Sequence, residues 1–122
     1  MFRLLVLTVL SSGLRTRSSI IAATSTMAIK AVDFEVFGRV QGVFFRKYTK
    51  EQAEKLSLRG WCKNTPQGTV QGHVQGPPDK IETMVHWLKN TGSPSSKIEK
   101  AEFRNQKEIS DYTYESFGIV KD

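Results

Sequence analysis

The sequence predicts an α+β fold in which two helices pack on one face of a mostly antiparallel sheet. Three features predict it: short stretches that alternate apolar and polar residues, two stretches with helical spacing, and the order in which they follow one another. That order is β-α-β-β-α-β, followed by a short C-terminal strand. Two helices on one face of such a sheet form the ferredoxin-like α/β sandwich.

The first predicted elements are a strand and a helix. Val32, Phe34 and Val36 alternate with Asp33, Glu35 and Phe37, which predicts a strand with one apolar face. The helix is predicted to begin at about Arg46 and to stop before Gly60. Its apolar stripe falls at helical spacing and consists of Phe45, Thr49, Ala53 and Leu56.

The next elements are a hairpin and the second helix. Residues 61–65 and 69–76 read as strands joined by a Pro-Gln-Gly turn. The second helix follows Pro77-Pro78-Asp79 and ends at Gly92. Its predicted core face consists of Ile81, Met84, Val85 and Leu88.

Two further strands are predicted at residues 98–103 and 112–120. The alternation of apolar residues slips once in each of them, which predicts bulges at Glu99-Lys100 and near Ser116.

The chain of 122 residues predicts one domain, residues 27–122, after an N-terminal extension, residues 1–26. The extension has no Asp or Glu but three Arg, five Ser and four Thr, a composition typical of a mitochondrial transit peptide. A secretory signal fits less well, because Arg15 and Arg17 lie where small residues should allow cleavage. The alternative is a tail preceding the usual start at Met27. We therefore expect a cytoplasmic protein, or a mitochondrial one if the extension is a transit peptide.

Composition excludes several classes of site. The single cysteine excludes an intrachain disulfide and a Cys-based zinc finger, and two histidines are too few for an ordinary His/Cys metal site. No apolar run reaches the roughly 18 residues of a membrane span. Of the net charge of +6, only +3 belongs to residues 27–122, with basic residues scattered among acids. Such a charge favours a small anionic substrate over nucleic acid.

The segment between the first strand and the first helix is a candidate anion site. Gly38 and Gly42 can take backbone conformations closed to other residues. A strand-to-helix turn directs free N–H groups to one spot, where the helix dipole adds about half a positive charge. Arg46 can donate hydrogen bonds to two phosphate oxygens there. The segment is not a Walker loop, since Val43 replaces its second glycine. The alternative is a tight turn with a solvated arginine.

Asn64 is the second candidate, on the same predicted strand face as Cys62. A carboxamide can orient a water molecule but deprotonates it poorly. The alternative is a turn residue before Pro66. Cys62 is most simply a small buried hydrophobic residue. The Cys-x5-Arg phosphatase loop is absent, because Gly68 stands where its arginine would be.

Two segments closely resemble the two signatures of the acylphosphatase family: GRVQGVFFRKYT at 38–49 and GWCKNTPQGTV at 60–70. The run GSPSS at 92–96 resembles the family's loop after the second helix, and the whole resemblance covers about residues 30–120. It implies the same ferredoxin-like sandwich. It also implies hydrolysis of the carboxyl-phosphate bond of acyl phosphates, which yields a carboxylate and inorganic phosphate.

The resemblance implies a role for each site residue. Arg46 and Asn64 correspond to the family's catalytic residues, and the backbone of residues 38–45 to its phosphate cradle, here Gly38, Gly42, Val43, Phe44 and Phe45. We expect no metal, no cofactor, no nucleic acid and no membrane partner. We further expect a monomer that is inhibited by its product phosphate. The alternative is a non-enzymatic ligand- or RNA-binding module of the same fold, which has no need for the pair of Arg46 and Asn64.

Overall fold

The computed structural model describes residues 28–121 of the chain. The predictions for residues 1–26, including the transit peptide and the compartment, lie outside these residues, as does the domain boundary at Met27. Within the described range, no helix is long and apolar enough to cross a membrane.

Five strands form one mixed sheet that carries two helices. The elements follow the order β1 (Ile29–Arg39), α1 (Phe45–Lys55), β2 (Arg59–Asn64), β3 (Val70–Gly76), α2 (Pro78–Asn90), β4 (Lys97–Ile109) and β5 (Phe117–Ile119). Across the sheet the strand order is β4-β1-β3-β2-β5. Neighbouring strands are antiparallel, except that β5 runs parallel to β2. The predicted ferredoxin-like sandwich is therefore confirmed.

The core lies between the sheet and the two helices. Val32, Phe34 and Val36 are buried, as their alternation predicts. Burying a side chain of this size stabilises the fold by about 1.5–3 kcal/mol. The helices contribute six further buried residues: Phe45, Thr49, Ala53, Ile81, Met84 and Leu88.

Cys62 belongs to the same core and is fully buried. Burial raises the pKa of its thiol to about 12. The thiol therefore stays protonated at neutral pH and is a poor nucleophile. This confirms its interpretation as a small hydrophobic residue.

The last two strands differ from their predicted limits. β4 runs to Ile109, because the first residues of β1 extend the ladder and Ile29 pairs with Ile109. β5 is shorter than predicted, and the chain before it is held by side chains instead: Gln75 Nε2 donates to Thr113 Oγ1 at 2.7 Å and Thr113 N to Gln75 Oε1 at 3.0 Å.

One predicted bulge is confirmed and the other is wrong. Phe37 pairs with Lys100 while Gly38 pairs with Ile98, so Glu99 is the extra residue of a bulge in β4. Ser116 precedes β5, and the register of β5 with β2 runs from Phe117 to Ile119 without a shift.

Candidate active site

The turn from β1 into α1 uses two left-handed backbone conformations. Gly42 has a φ of 75° and Phe44, the residue before the helix, a φ of 61°. Among residues 28–121, no side chain caps the helix, and its first turn carries no acidic residue. The first N–H groups of α1 are therefore available to an anion, and the helix dipole favours negative charge there.

A cavity of about 290 Å³ opens at this end of α1. Binding pockets for small molecules range upward from roughly 300 Å³, so the volume suits a small ligand. The structure brings Arg46 and Asn64 together with Gly42, Phe44 and Phe45, all of which the sequence predicts as site residues. The remaining lining residues are Val40, Lys47, Ile119 and Lys121.

The electrostatics of the cavity favour an anion. Arg46, Lys47 and Lys121 line it, and none of its lining residues is a carboxylate. Within residues 28–121, Arg46 forms no ion pair that would neutralise its guanidinium. Free amides and cations thus converge where a phosphate group would be bound.

Asn64 lies at the end of β2 with an unpaired acceptor. Its Oδ1 is buried and accepts no hydrogen bond from the described part of the chain. A buried acceptor without a partner costs about 1–3 kcal/mol. Two residues earlier, Cys62 Sγ lies 3.9 Å from Arg46 O, so the start of α1 is packed against β2 beside Asn64.

Two residues predicted for the cradle do not line the cavity. Gly38 lies in β1 with a φ of 125°, and a Cβ there would lie 2.1 Å from Lys97 O. Close packing of β4 on β1 therefore requires this glycine. Val43 is partly buried and packs against the core. A contribution of either main chain to phosphate binding stays a prediction.

Gln41 ties the loop to the β2–β3 hairpin. Its Nε2 donates to Thr65 O at 2.9 Å and to Thr69 O at 2.8 Å. One side chain thereby couples the loop before Arg46 to the turn that follows Asn64. Sequence reasoning missed Gln41, because no local spacing relates it to a hairpin more than 20 residues away.

Comparisons with known proteins decide the family. The family model described as acylphosphatase matches residues 32–119, well over half of the chain. The chain belongs to the acylphosphatase family. It is 59% identical to acylphosphatase-2 of Meleagris gallopavo over 91 residues, covering 75% of this chain and 88% of that protein. It is 52% identical to human acylphosphatase-2 over 96 residues, covering 79% and 97%.

A solved structure supports the same assignment. The crystal structure of an acylphosphatase from Bacillus subtilis superposes with a TM-score of 0.66 at 35% identity, covering 75% of this chain and 98% of that one. The protein is therefore an enzyme that hydrolyses small-molecule acyl phosphates. The alternative of a non-enzymatic binding module is set aside.

The C-terminal strand completes the cavity of this acylphosphatase. Ile119 pairs with Cys62 in the parallel ladder, and Val120 N donates to Cys62 O at 2.8 Å. This pairing carries Lys121 to the end of β2, where Asn64 lies. Sequence reasoning missed Ile119 and Lys121, since only the pairing of two distant strands places them there.

In this acylphosphatase, a hydrogen-bond network supports the hairpin that carries Asn64. Thr69 Oγ1 donates to Glu35 Oε2 at 2.6 Å, and Arg104 Nη2 donates to Glu35 Oε1 at 2.7 Å. Thr69 donates its only hydroxyl proton to Glu35. In the 2.6 Å hydrogen bond between the two threonine hydroxyls, Thr65 is therefore the donor and Thr69 the acceptor. The hydrogen bonds from Thr69 and Arg104 hold the pKa of the Glu35 carboxyl below its usual value of 4.5.

We expect Glu35→Gln to destabilise the enzyme by about 1–3 kcal/mol at neutral pH, because it weakens charge-assisted hydrogen bonds at a buried site. The pKa of Glu35 is depressed by folding, so its contribution is present above pH 4.5 and is lost as the pH falls through the lower, folded value. Urea unfolding of both proteins at neutral pH and near pH 3 measures this. The difference in unfolding free energy should shrink in acid, and a constant difference would contradict the prediction.

Within residues 28–121, no three His, Cys, Asp or Glu side chains are grouped as a metal site would require.

Proposed function

We propose that this acylphosphatase cleaves its substrate by a metal-independent attack of water on a phosphate group held by the 38–45 loop and Arg46. The cavity at the start of α1 carries the proposal, because it unites uncapped helix amides, a guanidinium and the carboxamide of Asn64. The amides and the guanidinium meet the first requirement of the reaction, and Asn64 meets the second.

The first requirement is to hold a phosphate dianion without moving the surrounding groups. Main-chain N–H groups of the loop bind its outer oxygens, and Arg46 binds two of them through its planar fork of donors. These donors are preorganised, since Gln41 fastens the loop to the hairpin and Cys62 packs against the main chain of Arg46. Preorganised donors stabilise the charge of the transition state with little reorganisation.

The second requirement is to place the attacking water in line with the bond that breaks. The carboxamide of Asn64, which lines the cavity, forms a hydrogen bond with this water. The water oxygen forms a bond to phosphorus as the bond from phosphorus to the acyl oxygen breaks. The electron pair of that bond leaves on the carboxylate, and a phosphate oxygen takes the proton from the water.

Little further chemistry is needed. The leaving carboxylate is stable near neutral pH, so the reaction needs no strong general acid. Phosphoryl transfer is helped mainly by positioning and by charge stabilisation. The same donors bind product phosphate, and we propose that it inhibits the enzyme. We also propose that the enzyme acts as a monomer.

Benzoyl phosphate hydrolysis, measured with and without EDTA, tests the mechanism. We expect the purified enzyme to hydrolyse this substrate at the same rate in both conditions, because its own cationic side chains stabilise the charge of the phosphate group. A rate that collapses in EDTA and returns when a divalent cation is added would contradict the proposal.

A further inference from the structure

Phe44 is exposed to a degree that is unusual for a large apolar side chain. Its exposed fraction is 71%, against 44% for Val120 and 40% for Tyr114, the other exposed large hydrophobic residues of the described range. The ring also lines the cavity that holds Arg46 and Asn64. The enzyme thus presents an open aromatic surface beside its phosphate site.

The backbone offers no reason for an aromatic residue here. Phe44 has φ 61° and ψ 25°, a left-handed conformation that glycine or asparagine takes more readily. Strained residues of this kind cluster at sites where they serve a function. The cation–π contact of the ring with Lys47 is weak, because Lys47 Nζ lies 6.0 Å from the ring centroid, at the outer limit of such an interaction.

The connectivity of the substrate places its acyl group near this ring. An acyl phosphate joins its phosphate to the acyl carbon through a single oxygen, so the two groups lie only a few bonds apart. The inner wall of the cavity is closed by the buried side chains of Val40 and Phe45. With the phosphate at the start of α1, the acyl group would extend toward the open side of the cavity, which the exposed ring of Phe44 borders.

We propose that the Phe44 ring binds the acyl group and gives the enzyme a preference for acyl phosphates with an aromatic or bulky apolar acyl part. This inference rests on the proposed function, because it takes the phosphate position as given. Stacking of the ring on such a group removes apolar surface of both from water, and small groups such as acetyl gain little of this.

The test compares Phe44→Asn with the parent enzyme on benzoyl phosphate and acetyl phosphate. Asparagine tolerates the left-handed backbone, so the loop should keep its shape. We expect kcat/KM for benzoyl phosphate to fall about tenfold, chiefly through KM, and the value for acetyl phosphate to change much less. Inhibition by inorganic phosphate should stay unchanged. Phe44→Gly takes the same backbone and repeats the test if the asparagine variant does not fold.

Tyr114→Asn is the matched control, because it removes an exposed aromatic ring that does not line the cavity. It should leave the ratio of the two substrates unchanged. Equal losses on both substrates in Phe44→Asn would overturn the inference, since Phe44 would then only shape the loop. No loss on either would also overturn it and would leave the ring free for a protein partner. Both outcomes differ from failure of the proposed function, which appears in the parent enzyme as benzoyl phosphate hydrolysis that phosphate does not inhibit.

Discussion

Arg46→Ala is expected to lower kcat by about a thousandfold or more and to abolish inhibition by phosphate at the same time. Loss of an arginine that stabilises a transferring phosphoryl group costs about 10³–10⁵ in kcat in other phosphoryl-transfer enzymes. Arg46 lines the cavity at the start of α1 and carries no ion pair within residues 28–121. Its guanidinium is thus available both to substrate and to product.

Two further variants separate the role of the arginine from that of its charge. Arg46→Lys keeps the charge but loses the bidentate fork, so we expect it to retain weak phosphate inhibition and little activity. Lys50→Ala removes a cation from the same helix, where Lys50 Nζ pairs with Glu54 at 3.2 Å outside the cavity. It should leave both readouts unchanged. If phosphate still inhibited Arg46→Ala normally, the proposal that Arg46 binds the phosphate group would be wrong.

Short-range rules predict where Arg46 and Asn64 lie in their own elements, whereas their shared role came from the family resemblance. A strand, a turn with Gly42 and an amphipathic helix put Arg46 at a helix start. The parity of β2 puts Asn64 on the face of Cys62, and the buried thiol of Cys62 does contact the main chain of Arg46. Two local patterns thus converge on one cavity.

The rest of the site depends on pairings that no local pattern reveals. Lys121 reaches the cavity only because β5 pairs in parallel with β2, and a strand of three residues is too short to indicate its partner. Glu35 alternates with apolar residues and so reads as solvent-facing, yet it is 9% exposed. Arg104, from β4, and Thr69, from the turn just before β3, bond to it there. Cross-strand register decides such burial.

Gly38 and Gly42 also differ in how far local sequence predicts their roles. Both Gly38 and Gly42 have the positive φ that their place before a helix suggests. Only Gly42 lines the cavity, whereas Gly38 is required by the approach of Lys97 O. The sequence also predicts the bulge at Glu99, but the pairing that brings Lys97 O against Gly38 is visible only in the register of β4 with β1.

Asn64→Ala is expected to lower kcat by about a hundredfold while the inhibition constant of phosphate stays nearly the same. Removing one preorganised donor or acceptor of this kind costs about 10²–10³ in kcat, or roughly 3–4 kcal/mol. Asn64 orients the attacking water in the proposed mechanism, so its contribution arises in the transition state and is absent from phosphate binding. Steady-state kinetics with benzoyl phosphate, together with phosphate inhibition, measure both quantities.

Stability provides the second, independent readout for the same variant. Because Oδ1 of Asn64 is buried without a partner among residues 28–121, alanine removes an unsatisfied acceptor rather than a hydrogen bond. The unfolding free energy of Asn64→Ala should therefore be equal to that of the parent enzyme or higher. A turn residue that merely prepares the chain for Pro66 would behave in the opposite way, with lost stability and an unchanged kcat. The two interpretations of Asn64 thus predict changes of opposite sign in the unfolding free energy and changes of different size in kcat.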